Sequence, residues 1–216
     1  MKNSIYTCFQ HWVTKDGKNN AVWIYSDPHF SDEEMIHLRS NYISDEEQVK
    51  SINKKVGKND TIIFLGDIGN IEFIKKIRGY KVLILGNHDA GAEKYKRQVT
   101  ILEQEYFNPY CSIIKKADDN RLFDEVYEGT LQIGPKLMLS HEPVNYPYCL
   151  NIHGHDHSNW QYRDEAHLNV CAEHINYTPL SLKDIIHSGR LKNIPDIHRE
   201  TIDGATERKQ KRKNNK

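Results

Sequence analysis

"TIIFLGDIGN", residues 61–70, is a short β-branched and apolar run that stops at Gly66 and hands the chain on to Asp67. Bounded by a turn signal, such a run reads as a strand. Four others resemble it: "AVWIYS" (21–26), "YKVLILG" (80–86), "KLMLSH" (136–141) and "NIHGH" (151–155). Between them, "SDEEQVKSINKKV" opens with Ser44 and places Glu47 three residues on, a capping-box signature. "NIEFIKKIRGY" and "AEKYKRQVTILEQEYF" also carry helical spacing. Strands alternating with helices predict an α/β layered fold, and the hairpin-like stretch "RLFDEVYEGTLQIGPKLMLS" predicts antiparallel additions to the sheet. "TPLSLKDIIHSG" reads as a closing helix with Ser181 and Asp184 as its cap, and no internal repeat is visible.

Length and composition set the bounds. The 216 residues suit one domain that buries roughly 70% of the surface of its unfolded chain. Hydrophobic residues at 38% and charged residues at 28% describe a soluble globular protein, and no window approaches the roughly 18 apolar residues of a membrane span. The N-terminal "MKNSIYTCFQHWVTKDGKNN" has no apolar core segment and no cleavage signal, so a cytoplasmic location is expected. Cys8, Cys111, Cys149 and Cys171 are scattered without a CxxC pair, which suits reduced thiols rather than a disulfide frame or a zinc knuckle.

The zero net charge hides an asymmetry. The last ten residues, "ERKQKRKNNK", hold six cations and one acid, leaving 24 basic and 29 acidic residues in positions 1–206, a formal charge of −5. The division expected is a single domain over 1–206 and a basic, disordered tail over 207–216, either idle in solvent or in contact with nucleic acid.

Chemistry collects where the strands stop. "AVWIYS" runs into Asp27-Pro28-His29, "TIIFLG" into Asp67, "YKVLILG" into Asn87-His88-Asp89, "KLML" into Ser140-His141, and "NIHG" into His155-Asp156-His157. Functional groups of α/β sheets gather outside the carboxyl ends of strands, where loops vary while the sheet fixes their origin. Singly, Asp27 and Asp67 read as well as turn or cap residues, Asn87 as a turn former and His141 as a surface residue. Five such ends together point to a metal site. In "NIHGHDHSNW" (151–160) the alternation of an extended segment would let His153, His155 and His157 face one point.

At these residues the chain resembles the calcineurin-like metallophosphoesterase superfamily, in its small bacterial and phage branch. The ordered motifs DxH, GD, GNH(D/E), H and GHxH appear as Asp27-Pro28-His29, Gly66-Asp67, Gly86-Asn87-His88-Asp89, His141 and Gly154-His155-Asp156-His157, a match that spans about residues 21–178. The resemblance implies an αββα sandwich of mixed sheets with the metal site at strand carboxyl ends. It implies that Asp27, His29, Asp67 and His157 hold one divalent ion and that Asp67, Asn87, His141 and His155 hold the second, with Asp67 bridging. Carboxylate, amide oxygen and imidazole suit Mn²⁺, Fe²⁺, Zn²⁺, Co²⁺ or Ni²⁺ rather than Cu(I), since the motifs offer no thiolate, and the resemblance implies Mn²⁺ first.

The implied reaction is hydrolysis of a phosphate ester, in which two ions roughly 3.5–4 Å apart clamp an in-line displacement. His88 would donate the proton to the leaving alkoxide with Asp89 holding its other nitrogen, and Asn87 and His88 would touch the substrate. Asp89 reads equally as a helix N-cap for "GAEKYKRQ". His153 matches no motif letter and is expected to line its strand or to back a ligand, and Asp32 to face solvent. A phosphorylated small molecule or nucleotide is the expected substrate, with Tyr42, Tyr146, Tyr148, Trp160 and Arg163 in loops where a base could stack or where they simply cap the core. The competing class is a non-catalytic scaffold of the same fold that binds protein or nucleic acid.

Overall fold

In the computed structural model, which describes residues 20–89, 100–101, 111–115, 122–158 and 164–214, the run that opens at Thr61 is a strand buried at every residue. This strand, β2 (Thr61–Phe64), lies parallel to β1 (Val22–Tyr25) on one side and to β3 (Tyr80–Ile84) on the other. Beyond β3 the sheet continues with β6 (Glu125–Gly129) in parallel, then β5 (Cys111–Lys115) and β4 (Thr100–Ile101), each antiparallel to its neighbour. The short β11 (Leu180–Ser181) closes the opposite edge against β1, giving seven strands in the order β11-β1-β2-β3-β6-β5-β4. A second sheet has the order β10-β9-β8-β7, built from β7 (Leu131–Gly134), β8 (Leu137–Leu139), β9 (Leu150–His153) and β10 (His167–Asn169). Its strands are parallel except for the β7–β8 hairpin. Both sheets are therefore mixed, as expected of the layered α/β sandwich.

Strand periodicity decides which side chains meet. Val22, Ile24, Ile63, Leu65, Val82 and Ile84 project from one face of the large sheet and pack on Leu131, Ile133, Leu137, Leu139, Leu150 and Ile152 of the small one. Ile62, Phe64 and Leu83 project from the other face onto Val49 and Ile52 of helix α2 (Asp45–Lys55), its C-cap Val56, and Ile74 and Ile77. Each fully buried aliphatic side chain contributes about 1.5–3 kcal/mol, so the strand ends are held by a core they do not themselves disturb.

The caps follow the sequence. Ser44 and Glu47 form the reciprocal capping box of α2, and Ser181 accepts from the Asp184 N–H at the start of α3 (Leu182–His187). Ahead of α2, helix α1 (Glu33–Leu38) is capped by Asp32. Three expectations change. "NIEFIKK" forms a 3₁₀ turn, Ile71–Lys76, started by Asn70 accepting from the Glu72 N–H. Of the helix expected over "AEKYKRQVTILEQEYF", only Thr100 and Ile101 are described; both are β-branched and pair as β4 with β5. The basic run does not follow a disordered course through its described part. After the short α4 (Arg190–Asn193), a single exposed helix, α5 (Ile197–Asn214), carries it, begun by Asp196 accepting from the His198 and Arg199 N–H groups and supported by an Arg199–Asp203 pair one turn apart. No described helix is long and apolar enough to cross a membrane.

Candidate metal centre

All five sequence motifs leave their strands on the same edge of the sandwich. Past the end of β1 and β2 the two chains keep pairing, with Asp27 N to Gly66 O at 3.1 Å and His29 N to Asp67 O at 3.0 Å, so both acidic residues are fixed by backbone before any side chain acts. Asp27, His29, Asp67 and His155 all adopt positive φ, between 45° and 65°. That conformation costs a non-glycine residue energy and is found where the surroundings over-determine it, often at functional sites. Two glycines allow the loops to close in: a Cβ on Gly86 would collide with Asp67 Oδ1, and one on Gly154 with Ser26 Oγ and Asp27 Oδ2.

Around Asp27 the first group assembles. His29 Nε2 stands 3.9 Å from Asp27 Oδ1 and 3.6 Å from Asp67 Oδ2, while His157 Nε2 stands 3.6 Å from Asp27 Oδ1. Around Asp67 the second group gathers, with His141 Nε2 3.4 Å from Asp67 Oδ2, 2.8 Å from Asn87 Oδ1 and 3.1 Å from His155 Nδ1. His155 Nδ1 lies 3.0 Å from Asn87 Oδ1. The seven residues expected as ligands are thus brought together, and Asp67 belongs to both groups.

Protonation follows from the neighbours. Burial alone would pull His141 down, but the Asp67 and Asp27 carboxylates and the Leu65 carbonyl outweigh it and carry its pKa to about 9. His157 is raised against its own burial by Glu173 and Asp27, whereas burial dominates at His29 and lowers it. Burial opposes ionisation of Asp67, yet its contacts with His141 and the His88 N–H hold it below the ordinary carboxylate value.

His88 and Asp89 occupy different environments. The His88 side chain is 65% exposed, its ring edge-on to His29 at 5.4 Å between centroids and its Nε2 4.0 Å from Asp67 Oδ2. Asp89 is buried and accepts from the backbone N–H groups of Asp67 (2.7 Å), Gly86 (3.1 Å) and Ile68 (3.2 Å). Its carboxylate is turned to the backbone that carries the ligands, where three N–H donors converge on it, and not to the exposed His88 ring. The helix it was expected to start lies outside the described residues.

Behind the ligands stands a layer that the motifs do not contain. Asp32 does not simply face solvent: its Oδ2 is 3.0 Å from His29 Nδ1, and its Oδ1 caps α1. Glu173 Oε1 is 2.6 Å from His157 Nδ1, and the Leu65 carbonyl is 2.7 Å from His141 Nδ1. His29, His141 and His157 therefore present Nε2 to the centre, while His155 presents Nδ1. Asp27 Oδ2 accepts from the His155 N–H at 3.0 Å, from the Cys171 thiol at 3.4 Å and from Ser26 Oγ, which leaves Oδ1 turned to the centre. A thiol is thus present after all. Burial and the neighbouring Asp27 carboxylate push Cys171 well above its ordinary pKa and keep it a neutral donor. Only a signal beyond the GHxH motif, the "VCAE" that follows β10, could have drawn attention to Cys171 and Glu173.

His153 is not part of the centre. Its ring is buried edge-on to His167 at 5.8 Å, with Nδ1 2.8 Å from the Gly154 carbonyl, because β9 ends at His153 and the positive φ of His155 breaks the alternation that would have aligned the three histidines. Tyr146 and Tyr148 line a separate cleft of about 320 Å³ with Cys149, His167, Ile194 and Pro195. Trp160 and Arg163 lie outside the described residues.

The donor set suits divalent ions. Asp27 Oδ1 and His29 Nε2 are buried without a hydrogen-bond partner among the described residues, a costly arrangement unless something else fills the gap. Bonds of about 2.0–2.2 Å to one ion put neighbouring ligand atoms roughly 3–3.6 Å apart; five of the seven distances given above fall in that range, with His141–Asn87 shorter at 2.8 Å and His29–Asp27 longer at 3.9 Å. Among the described residues three groups could hold an ion: Asp27 with His29 and Asp67; Asp67 with His141 and His155; and Asp27 with His157 and Cys171.

No family model matches the chain. It is 28% identical over 191 residues to an uncharacterized protein of Methanocaldococcus jannaschii, a stretch covering 76% of this chain and 89% of that one. It is also 28% identical over 181 residues to the Gene 66 protein of Mycobacterium phage L5, covering 77% and 82%. The crystal structure of a protein of unknown function from Aquifex aeolicus superposes with a TM-score of 0.52 at 24% identity, covering 78% of this chain and 99% of that one, a likeness of fold.

Proposed function

We propose that the chain is a metal-dependent phosphoesterase of the calcineurin-like kind, hydrolysing a phosphorylated small molecule or nucleotide. The observation that carries this reading is Asp67. One buried carboxylate takes part in both ligand groups, beside a buried Asp27 oxygen and a buried His29 nitrogen that lack partners among the described residues. A shared carboxylate between two imidazole-rich groups is a means of holding two ions close together.

Asp27, His29, Asp67 and His157 would hold one ion, and Asp67, Asn87, His141 and His155 the other, with Mn²⁺ the first choice. Bound there, the ions would supply Lewis-acid activation of water and neutralise charge on the phosphoryl group. The remaining work belongs to the protein. Asp67 Oδ1 accepts the His88 backbone N–H at 2.9 Å, which places the exposed imidazole at the rim, where it can meet a substrate. From there His88 delivers a proton from a ring nitrogen to the departing alkoxide oxygen, and the P–O bond breaks without releasing a strong base. Asn87, beside it and exposed, steers the phosphate oxygens. Asp89 keeps Asp67 and Gly86 in place through the backbone.

The test begins with protein stripped by a chelator. Titration with Mn²⁺ should load two ions per chain, and hydrolysis of aryl phosphate monoesters or diesters should appear only with the metal. Failure to bind any divalent ion would remove the proposal. Two bound ions without hydrolysis of any phosphate ester would favour a scaffold.

A further inference from the structure

We propose that Arg39 and Glu173 form a positioning pair that holds His157 in register with Asp27 and so determines the affinity of the first metal position; the inference rests on the metal reading above. Neither residue lies in a motif, and 134 positions separate them in the chain.

The contacts form one path. Glu173, in the 3₁₀ turn Ala172–Ile175 beyond β10, places Oε1 2.6 Å from His157 Nδ1 and Oε2 3.2 Å from Arg39 Nε. Arg39, the C-cap of α1, spends its other nitrogens on the chain that carries Asp27: Nη2 donates to the Asp27 carbonyl at 2.6 Å and Nη1 to the Pro28 carbonyl at 3.3 Å. Gln48 adds a bond to the same Pro28 carbonyl at 3.2 Å, and Asn41 holds the Glu173 carbonyl at 2.9 Å. The guanidinium donates to two carbonyls while its charge stands 3.2 Å from the Glu173 carboxylate, an ion pair and not a hydrogen bond, a combination that an ammonium group cannot hold in fixed geometry.

Burial makes the pair interdependent. The Arg39 side chain is 2% exposed and that of Glu173 is 8%. A carboxylate so buried needs a counter-charge to stay ionised, and an ionised carboxylate is the acceptor that keeps a proton on His157 Nδ1 and the lone pair on Nε2, the atom that faces Asp27 Oδ1. His29 has a carboxylate behind it as well, but Asp32 is 30% exposed and caps a helix. Among the described residues, only at His157 does the supporting carboxylate rest on a cation that also grips the backbone of another ligand. The pair therefore ties the ends of β1 and β10, one from each sheet, across the first metal position.

The experiment is a calorimetric Mn²⁺ titration of chelator-stripped full-length protein, comparing the parent with Glu173→Ala, Glu173→Gln and Arg39→Lys. One of the two sites should weaken by roughly 10–100-fold in Glu173→Ala and Arg39→Lys, with the other site unchanged, and Glu173→Gln should recover part of the loss because its amide oxygen can still accept. Unchanged affinity for the other ion reports that the variants are folded. A second measurement needs no variant: in the Zn²⁺-loaded parent, nitrogen NMR should find His157 protonated on Nδ1. Equal weakening of both sites, no weakening of either, or a proton on His157 Nε2 would each overturn the pair's role. A parent that binds no divalent ion would instead overturn the metal reading on which it rests.

Discussion

On one side of the centre Asp27 and His29 are buried, and His157 is backed by the Arg39–Glu173 pair. On the other, Asn87, His88 and His155 are exposed, with only His141 buried among them. The buried side is held by side chains from α1, from the 3₁₀ turn after β10 and from Ser26 at the end of β1. The exposed side depends on the loop after β3 and on the backbone contacts of Asp89. The contrast separates two tasks. An ion position demands fixed ligands, whereas a group that meets changing substrates must be reachable, and a solvent-facing imidazole can exchange its proton between turnovers.

Asp67 is where the comparison can be broken outright, since it takes part in both groups. Asp67→Asn keeps a residue that tolerates the φ of 52° while removing the charge that both sides share. Both ions should be lost or greatly weakened. Phosphate-ester hydrolysis should fall by more than about 10³-fold, because several kcal/mol of metal-derived stabilisation disappear at once. Metal analysis and an aryl phosphate assay check this, and a variant with two tightly held ions would show that Asp67 bridges nothing.

Much of that arrangement could be read from the chain. The ligands sit directly after apolar runs, so local pattern placed Asp27, Asp67, Asn87, His141 and His155 at strand ends before any contact was known. The helix caps at Ser44 and Ser181 are equally local. Arg39 and Glu173 had no such mark, because what makes them matter is a meeting between α1 and the segment after β10, and distance in sequence hides it. Asp89 shows the opposite failure. Its place in a motif suggested partnership with the adjacent His88, but backbone N–H groups from β2's exit loop arrive first. His153 illustrates why alternation misleads at the end of a strand, where one residue of positive φ cancels the period. The helical course of the basic run rests on Asp196 as its cap and on the Arg199–Asp203 pair one turn apart, a weaker signal than its charge.

His88 sharpens the comparison from the exposed side. His88→Ala should leave both ions in place, because the ring sits at the rim and its Nε2 is 4.0 Å from Asp67 Oδ2. Turnover of esters with poor leaving groups should drop by roughly 10²–10⁴, while activated aryl esters, whose leaving group hardly needs a proton, should suffer much less. Steady-state rates across a series of leaving groups read this out. Equal losses along the series would assign His88 to binding instead of proton transfer.

The smallest expected effect lies in the pH response of the residue that joins the two sides. In the ion-free chain His141 has a pKa of about 9 against the ordinary 6.5, because Asp67 and Asp27 outweigh the burial that opposes its charge. Its side chain is 4% exposed, so solvent screens the pair little. A raised folded-state pKa means that the contribution is fully present below about pH 6.5 and is lost as pH climbs through about 9; at 1.36 kcal/mol per unit it amounts to about 3 kcal/mol. Urea unfolding with a chelator present should therefore show stability declining across that window. Buried thiols such as Cys171 push in the same direction at alkaline pH, so the informative quantity is the difference from His141→Gln, which should lose this part of the slope. Divalent ions should reverse the trend, because a ligand imidazole must be neutral and ion binding expels its proton. Apparent affinity for Mn²⁺ should then rise up to about pH 9, with proton release visible as heats of binding that change with the buffer. A slope that persists unchanged in His141→Gln would place the titrating group elsewhere, and the shared carboxylate would then owe its charge to a different neighbour.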